Sequence, residues 1–146
     1  MDEYLVPTDY GEDEFIEKKS RFIGRVWPVE TEEEARAFVA EIRKMHTLAT
    51  HVCFAFVADK IGNLQRFSDD GEPQGTGGPP VLDVIKKNGL TDVCVVVTRY
   101  FGGILLGAGG LVRAYSHSAK IAVEGADIIR MSPCSVLKVV CDYGFY

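Results

Sequence analysis

The chain has 146 residues, a formal net charge of −5, 47% hydrophobic and 25% charged residues. These are globular values for about one domain, and they exclude a disordered chain and a strongly basic, general nucleic-acid binder. The acidity is local: residues 1–50 carry 12 acids against 7 bases, whereas residues 51–146 carry 9 of each.

Met1 to Gly11 is acidic and lacks a basic segment followed by an apolar one, so no signal peptide is expected. Phe15 to Val29 reads as extended structure around the basic tip Lys18-Lys19-Ser20-Arg21, closed by Pro28. Thr31-Glu32-Glu33-Glu34 is a capping box: the Thr31 hydroxyl can take the Glu34 N–H while the Glu34 carboxylate reaches back. Ala35, Phe38, Val39, Ile42 and Met45 follow at helical spacing and predict a helix from about Glu32 to His46. His51 to Ala58 is a continuous β-branched and aromatic run, a buried strand. Leu64 to Ser68 is its hairpin partner across Gly62-Asn63. Asp69 to Pro80 is loop by composition. Pro80 suits the first turn of a second helix, and Asn88-Gly89 its end. Val93 to Tyr100 is the most apolar strand. A third helix is marked by Leu111, Ala114, Tyr115, Ser118, Ile121 and Ala122 and stops at Gly125. Ile128 to Met131 is a short strand. Val93 to Val112 has the length of a membrane span, but Arg99 and five glycines interrupt it. It reads better as strand, loop and helix start.

The predicted order β-α-ββ-α-β-α-β gives an α+β, two-layer architecture with helices on one sheet face. Residues 1–131 form that domain. Ser135 to Tyr143, after Pro133, reads as a new strand, so residues 132–146 are expected to begin a second domain. Cys53, Cys94, Cys134 and Cys141 form no Cys-x-x-Cys pair, and most lie in apolar runs; reduced, buried thiols and a cytoplasmic location are expected.

Ten of the fifteen glycines fall between Gly71 and Gly110 and, Gly89 apart, lie in or next to two motifs. The first runs through Asp69, Asp70, Gly71, Glu72, Pro73, Gln74, Gly75 and Thr76. Three carboxylates in four residues could hold a hard cation or act as acid and base, but Asp, Gly and Pro are also what a solvated turn requires. Thr76 could lead into or cap the second helix. The second motif takes a strand through Arg99, Tyr100, Phe101, Gly102 and Gly103 into a loop. Gly109 and Gly110 then precede the helix that carries Arg113 and Tyr115. A strand, a glycine loop and a helix start offer free N–H groups to an anion, although the spacing matches neither common nucleotide-binding fingerprint. Arg113, His117 and Lys120 fall at i, i+4 and i+7 on one helix face. With Arg99 and Tyr100 they suggest a small basic patch for phosphate and base contacts. His46 and His51 read as structural, and no Ser-His-Asp or Cys-His grouping stands at a diagnostic spacing.

Together the two motifs resemble the YigZ/IMPACT family. The matching blocks are Ser68 to Pro73 with Gly75-Thr76, Val97 to Gly103, and Leu106 to Tyr115. Lys19-Ser20-Arg21-Phe22-Ile23 and Thr50-His51…Cys53 support them. The resemblance covers about residues 12–130. Val52, Gln74, Gly77 and Pro79 depart from the family pattern. It implies a fold like the second domain of ribosomal protein S5, with residues 132–146 as the first strand of a ferredoxin-like domain. It also implies a role linked to translation, since eukaryotic members regulate translation during amino-acid starvation.

The function expected is therefore a non-enzymatic binding protein linked to translation, contacting RNA or a ribosome-associated partner through the glycine loop and the basic helix face. One alternative is a protein–protein regulator of stress or translation signalling without RNA contact. Another is a Mg²⁺-dependent phosphoryl-handling enzyme built on Asp69, Asp70 and Glu72. No catalytic residue, metal site, cofactor or membrane partner is assigned.

Overall fold

The computed structural model describes residues 4–7, 10–58, 63–126 and 128–131. Its elements run β1 (Tyr4–Pro7), β2 (Gly11–Glu17), β3 (Ser20–Pro28), α1 (Glu32–Met45), β4 (His51–Val57), β5 (Gln65–Ser68), α2 (Gly78–Lys87), β6 (Val93–Tyr100), α3 (Gly107–Glu124) and β7 (Ile128–Met131). Five strands form an antiparallel sheet in the order β2-β3-β6-β4-β5, while β1 and β7 pair separately. The expected first strand of a further domain, within 132–146, lies outside the described residues.

The basic tip is the turn of the β2–β3 hairpin. Lys18 and Lys19 both take positive φ, 48° and 67°, which is the twist a two-residue hairpin turn needs. The capping box forms as read: Glu34 N donates to Thr31 Oγ1 at 3.1 Å, and Glu34 Oε1 accepts from Glu30 N at 2.8 Å. α1 buries Ala35, Val39 and Ile42, whereas Met45 at the end of the stripe is 60% exposed. α3 begins at Gly107, four residues ahead of the predicted apolar stripe, because the stripe marks only where the helix reaches the sheet.

The α+β class is as expected, but the helices divide between two faces of the sheet. β4 and β6 are buried along nearly their whole length, so both of their faces need covers. Cys53, Ala55, Val57, Val93, Val95 and Val97 point to α2 and α3. Val52, Phe54, Phe56, Cys94 and Val96 point to α1. The expectation of helices on one face fails because a continuous apolar run carries no alternation from which to assign sides. Cys53 and Cys94 are free and buried. Among the described residues, no helix is long and apolar enough to cross a membrane.

Candidate functional site

The site sits at the end of β6 on the α2/α3 face. Side chains alternate across a strand, so Arg99 shares the face of Val93, Val95 and Val97, while Thr98 and Tyr100 take the other. In register, Arg99 stands between Phe22 of β3 and His51 of β4. The first motif loop crosses over this row and sets Glu72 on it. The Arg99 and Glu72 side chains are 5% and 2% exposed. Arg99 Nη1 donates to both Glu72 oxygens, at 3.1 and 2.8 Å. Its Nε and Nη2 reach Ser20 Oγ at 3.3 and 3.2 Å, and the guanidinium lies between the Phe22 and Phe101 rings. Tyr115 of α3 donates its hydroxyl to Glu72 Oε2. A charge this deep is tolerable only because each side of the pair is met by hydrogen bonds.

Two further residues complete the cluster. His51 Nδ1 lies 2.8 Å from the Asp70 carbonyl, which can only accept, so Nδ1 carries a proton. Its Nε2 faces Glu72 Oε1 at 3.5 Å. Cys53 Sγ donates to the Asp69 carbonyl at 3.0 Å. Burial pushes the Cys53 thiol up to about 12 and outweighs the neighbouring Tyr115 hydroxyl, so it is a neutral packing group and not a nucleophile. Burial, with Cys53 and Glu72 adding to it, also drives the Tyr115 hydroxyl far above its ordinary range, which keeps it a donor.

The three carboxylates of the first motif have three different tasks. Asp69 accepts from the N–H groups of Gly75, Gly77 and Gly78 at 2.9, 2.9 and 2.8 Å, and so caps α2 from outside the helix. Burial works against its ionisation, but the three N–H groups together outweigh that and hold its carboxyl below the usual value. Asp70 takes Val52 N at 2.6 Å and lies 3.4 Å from Arg43 of α1. Glu72 holds Arg99. They do not converge on a common point, and no metal-binding group of His, Cys, Asp or Glu is found among the described residues. The cation reading of this loop is thus not supported by its geometry. Thr76 does not cap α2 either; its hydroxyl turns back to the Pro73 carbonyl at 2.5 Å, tightening a loop whose Gly71 and Gly75 take φ +88° and +85°.

The second motif is tied to the first by the same row. Gly102 passes so close to the hairpin tip that a Cβ there would lie 1.9 Å from the Lys19 carbonyl. Its N–H reaches Ser20 Oγ at 3.4 Å, and Phe101 N donates to Thr50 Oγ1 at 3.0 Å. Beyond this anchor the loop projects outward. Phe101, Ile104 and Leu105 are 43%, 42% and 80% exposed, and Gly103 supplies a φ of +96°. A groove of about 360 Å³ opens between the two motif loops. Pro73, Phe101, Leu105 and Leu111 wall it, and His51, Glu72 and Arg99 form its polar end.

The expected basic patch is divided. Arg99 is buried in its ion pair and offers no charge to solvent. Tyr100 lies on the α1 face, its hydroxyl 2.5 Å from His46 Nδ1. Arg113, His117 and Lys120 do share the exposed side of α3. The Arg113 guanidinium folds back along the first turn, where a Cβ at Gly109 would come within 3.3 Å of it and Gly110 leaves similar room. Arg113 and His117 meet Lys18 of the hairpin tip around a second groove of about 330 Å³, and the His117 ring stands edge-on to Phe15. Sequence reasoning missed Ser20, His51 and Cys53 as members of the cluster. Their only signal was the two minor blocks of family resemblance, because cross-strand register cannot be read from spacing.

Comparison with known proteins bears on this geometry. Residues 18–123, more than half of the chain, match the family described as Impact N-terminal domain. The chain is 44% identical over 140 residues to the IMPACT family member YvyE of Bacillus subtilis, covering 96% of this chain and 64% of that one. It is 31% identical over 127 residues to Protein IMPACT of Bos taurus, covering 84% of this chain and 39% of that protein. A solved structure described as a hypothetical protein superposes with a TM-score of 0.86 at 40% identity, over 91% of this chain and 66% of that one. The chain thus spans somewhat less than two thirds of YvyE. The residues matched include both motif loops and the Arg99–Glu72–Tyr115 cluster that joins them, and the chain belongs to the IMPACT family.

Proposed function

We propose that this chain is a binding module, not a catalyst, and that it serves a translation-linked regulator by contacting the ribosome through the glycine loop and the exposed side of α3. The link to translation comes from what the family resemblance implies for its eukaryotic members. The binding role rests on one observation: Arg99, Glu72 and Tyr115 satisfy one another in the interior, so the charged chemistry of both motifs holds the loop in place. What the loop and its neighbours turn outward is Phe101, Ile104 and Leu105 near Lys18, Lys19 and Arg113, with Lys120 further along the exposed side of α3; these four cations have no ion-pair partner among the described residues. Cations beside a projecting loop suit a phosphate backbone.

A second reading, contact with a protein partner alone, is favoured by the apolar character of Leu105 and Ile104. Co-sedimentation with bacterial ribosomes at low and moderate salt separates the two. Binding that weakens with salt and is lost in the Arg113→Glu/Lys120→Glu variant supports RNA contact. Binding that ignores salt and is lost only in Leu105→Asp supports the protein partner. No binding by the unaltered chain overturns the assignment. Arg99 is unsuitable as a probe, since its replacement would disturb the fold.

A further inference from the structure

The α1 face carries a concavity that neither motif touches. Its walls are three aromatic rings from three parts of the chain: Tyr10 just ahead of β2, Trp27 near the end of β3, and Phe38 within α1. Trp27 and Phe38 lie nearly parallel, 20° apart, with centroids separated by 6.1 Å. Tyr10 stands across both, at 59° to Trp27 and 78° to Phe38, with centroids 6.0 and 6.5 Å away. The rings enclose a shallow groove of about 460 Å³ whose rim carries Glu34 and Glu41. Positions 34, 38 and 41 fall at i, i+4 and i+7, so α1 presents an aromatic ring between two carboxylates. Trp27, the only tryptophan of the chain, is left 40% exposed here.

We propose that this groove binds a lysine or arginine side chain from a basic polypeptide segment. The faces of aromatic rings attract cations, and tryptophan does so most strongly. Glu34 and Glu41 set the sign of the ligand and can pair with it. Glu34 uses one oxygen on the Glu30 N–H, and Glu41 has only an exposed contact at 3.6 Å with Lys44, so both keep acceptor capacity. The cage is pre-arranged: the Tyr10 hydroxyl accepts from Arg25 Nε at 2.7 Å and donates to Glu12 at 2.5 Å, which fixes its ring. Arg25 is the cation nearest that hydroxyl. It is buried behind Tyr10, lies 3.5 Å from Glu12, and does not line the groove. The 12-to-7 excess of acids over bases in residues 1–50 adds a longer-range pull on a basic partner. This surface is separate from the glycine loop, so it stands or falls independently of the ribosome contact.

The position of Trp27 supplies the readout. The full chain would be titrated with a short peptide of alternating glycine and lysine, and with its arginine counterpart, while Trp27 emission is followed; a glycine–glutamate peptide is the control. A saturable change with the basic peptides only is expected. Affinity should fall about tenfold in Phe38→Ala, and similarly in Glu34→Gln/Glu41→Gln, which alters exposed side chains and leaves the core untouched. No saturable change, or equal affinity in the Glu34→Gln/Glu41→Gln variant, overturns the proposal.

Discussion

β6 ends with two buried polar clusters back to back. On the α2/α3 side, Arg99 meets Glu72, Ser20 and the rings of Phe22 and Phe101, and Tyr115 closes the set. On the α1 side, Tyr100 bonds His46, but Arg25 Nη1, His46 Nε2 and Thr98 Oγ1 are buried without a hydrogen-bond partner among the described groups. The network that holds Arg99 is thus closed and the one on the α1 face open; Ser118 Oγ of α3, packed against Gly24 of β3, is also buried without a partner among the described groups but lies outside the Arg99 network. The closed network joins the two signature motifs. The open one takes Tyr100 from the second motif and nothing from the first. Polar groups in an interior stabilise a unique arrangement when all are satisfied and cost stability when some are not. The rigidity needed to hold the projecting glycine loop is therefore supplied from the Arg99 side.

The strongest way to break that contrast is to remove one member of the buried pair. Glu72→Gln leaves the Arg99 charge buried and uncompensated, and should cost about 3–5 kcal/mol in urea unfolding. Replacing both, as Glu72→Gln/Arg99→Met, should cost clearly less than the two single changes added together, because the pair acts as a unit. Additive losses would show that the two groups do not depend on each other.

Asp69 tests the closed side more gently. It holds the N–H groups of Gly77 and Gly78 at the start of α2 and that of Gly75 in the loop before it, and Asp69→Asn should cost about 1–2 kcal/mol at neutral pH, as losing a charged helix cap does. The pH dependence follows from the lowered folded-state pKa. The stabilisation is fully present above the unfolded carboxyl value, near 3.8, and is lost as pH falls through the lower folded value. The gap between the unaltered chain and the variant should therefore be constant from neutral pH down to mildly acid conditions and close only in strong acid. A gap that closes near neutrality would assign the effect to another group.

Much of this frame is legible in the amino-acid sequence. The capping box placed α1, the apolar run Val93 to Tyr100 placed β6, and Gly125 ended α3, since each is a local signal with a local cause. β1 was invisible because Tyr4–Pro7 is held by β7 from the far end of the described chain. The candidate site was half legible. The two motifs named Arg99, Glu72 and Tyr115, but their chemistry suggested outward roles, and only the strand alternation and the loop crossing turn them inward. Adjacency in sequence suggests Tyr100 beside Arg99, whereas the period of two sends it to the opposite face. His51 looked like a structural histidine at a strand start, and only the β4–β6 register sets it opposite Arg99.

The open side gives the smallest and most discriminating effect. Thr98 is fully buried, registered between Ile23 of β3 and Val52 of β4, and its hydroxyl has no partner among the described groups. Valine has nearly the same shape, so Thr98→Val keeps the packing and removes only a polar atom. Burying an unpaired hydroxyl costs about 1–3 kcal/mol on mutational scales, part of which relaxation and partial solvation recover. Thr98→Val should accordingly be neutral or stabilise the chain by up to about 1 kcal/mol, in contrast to the large loss at Glu72. A loss of about 1 kcal/mol or more in thermal or urea unfolding would mean that the hydroxyl is hydrogen-bonded in solution. The α1 side would then be as closed as the Arg99 side, and the difference between the two faces of β6 would lie in which loops they hold.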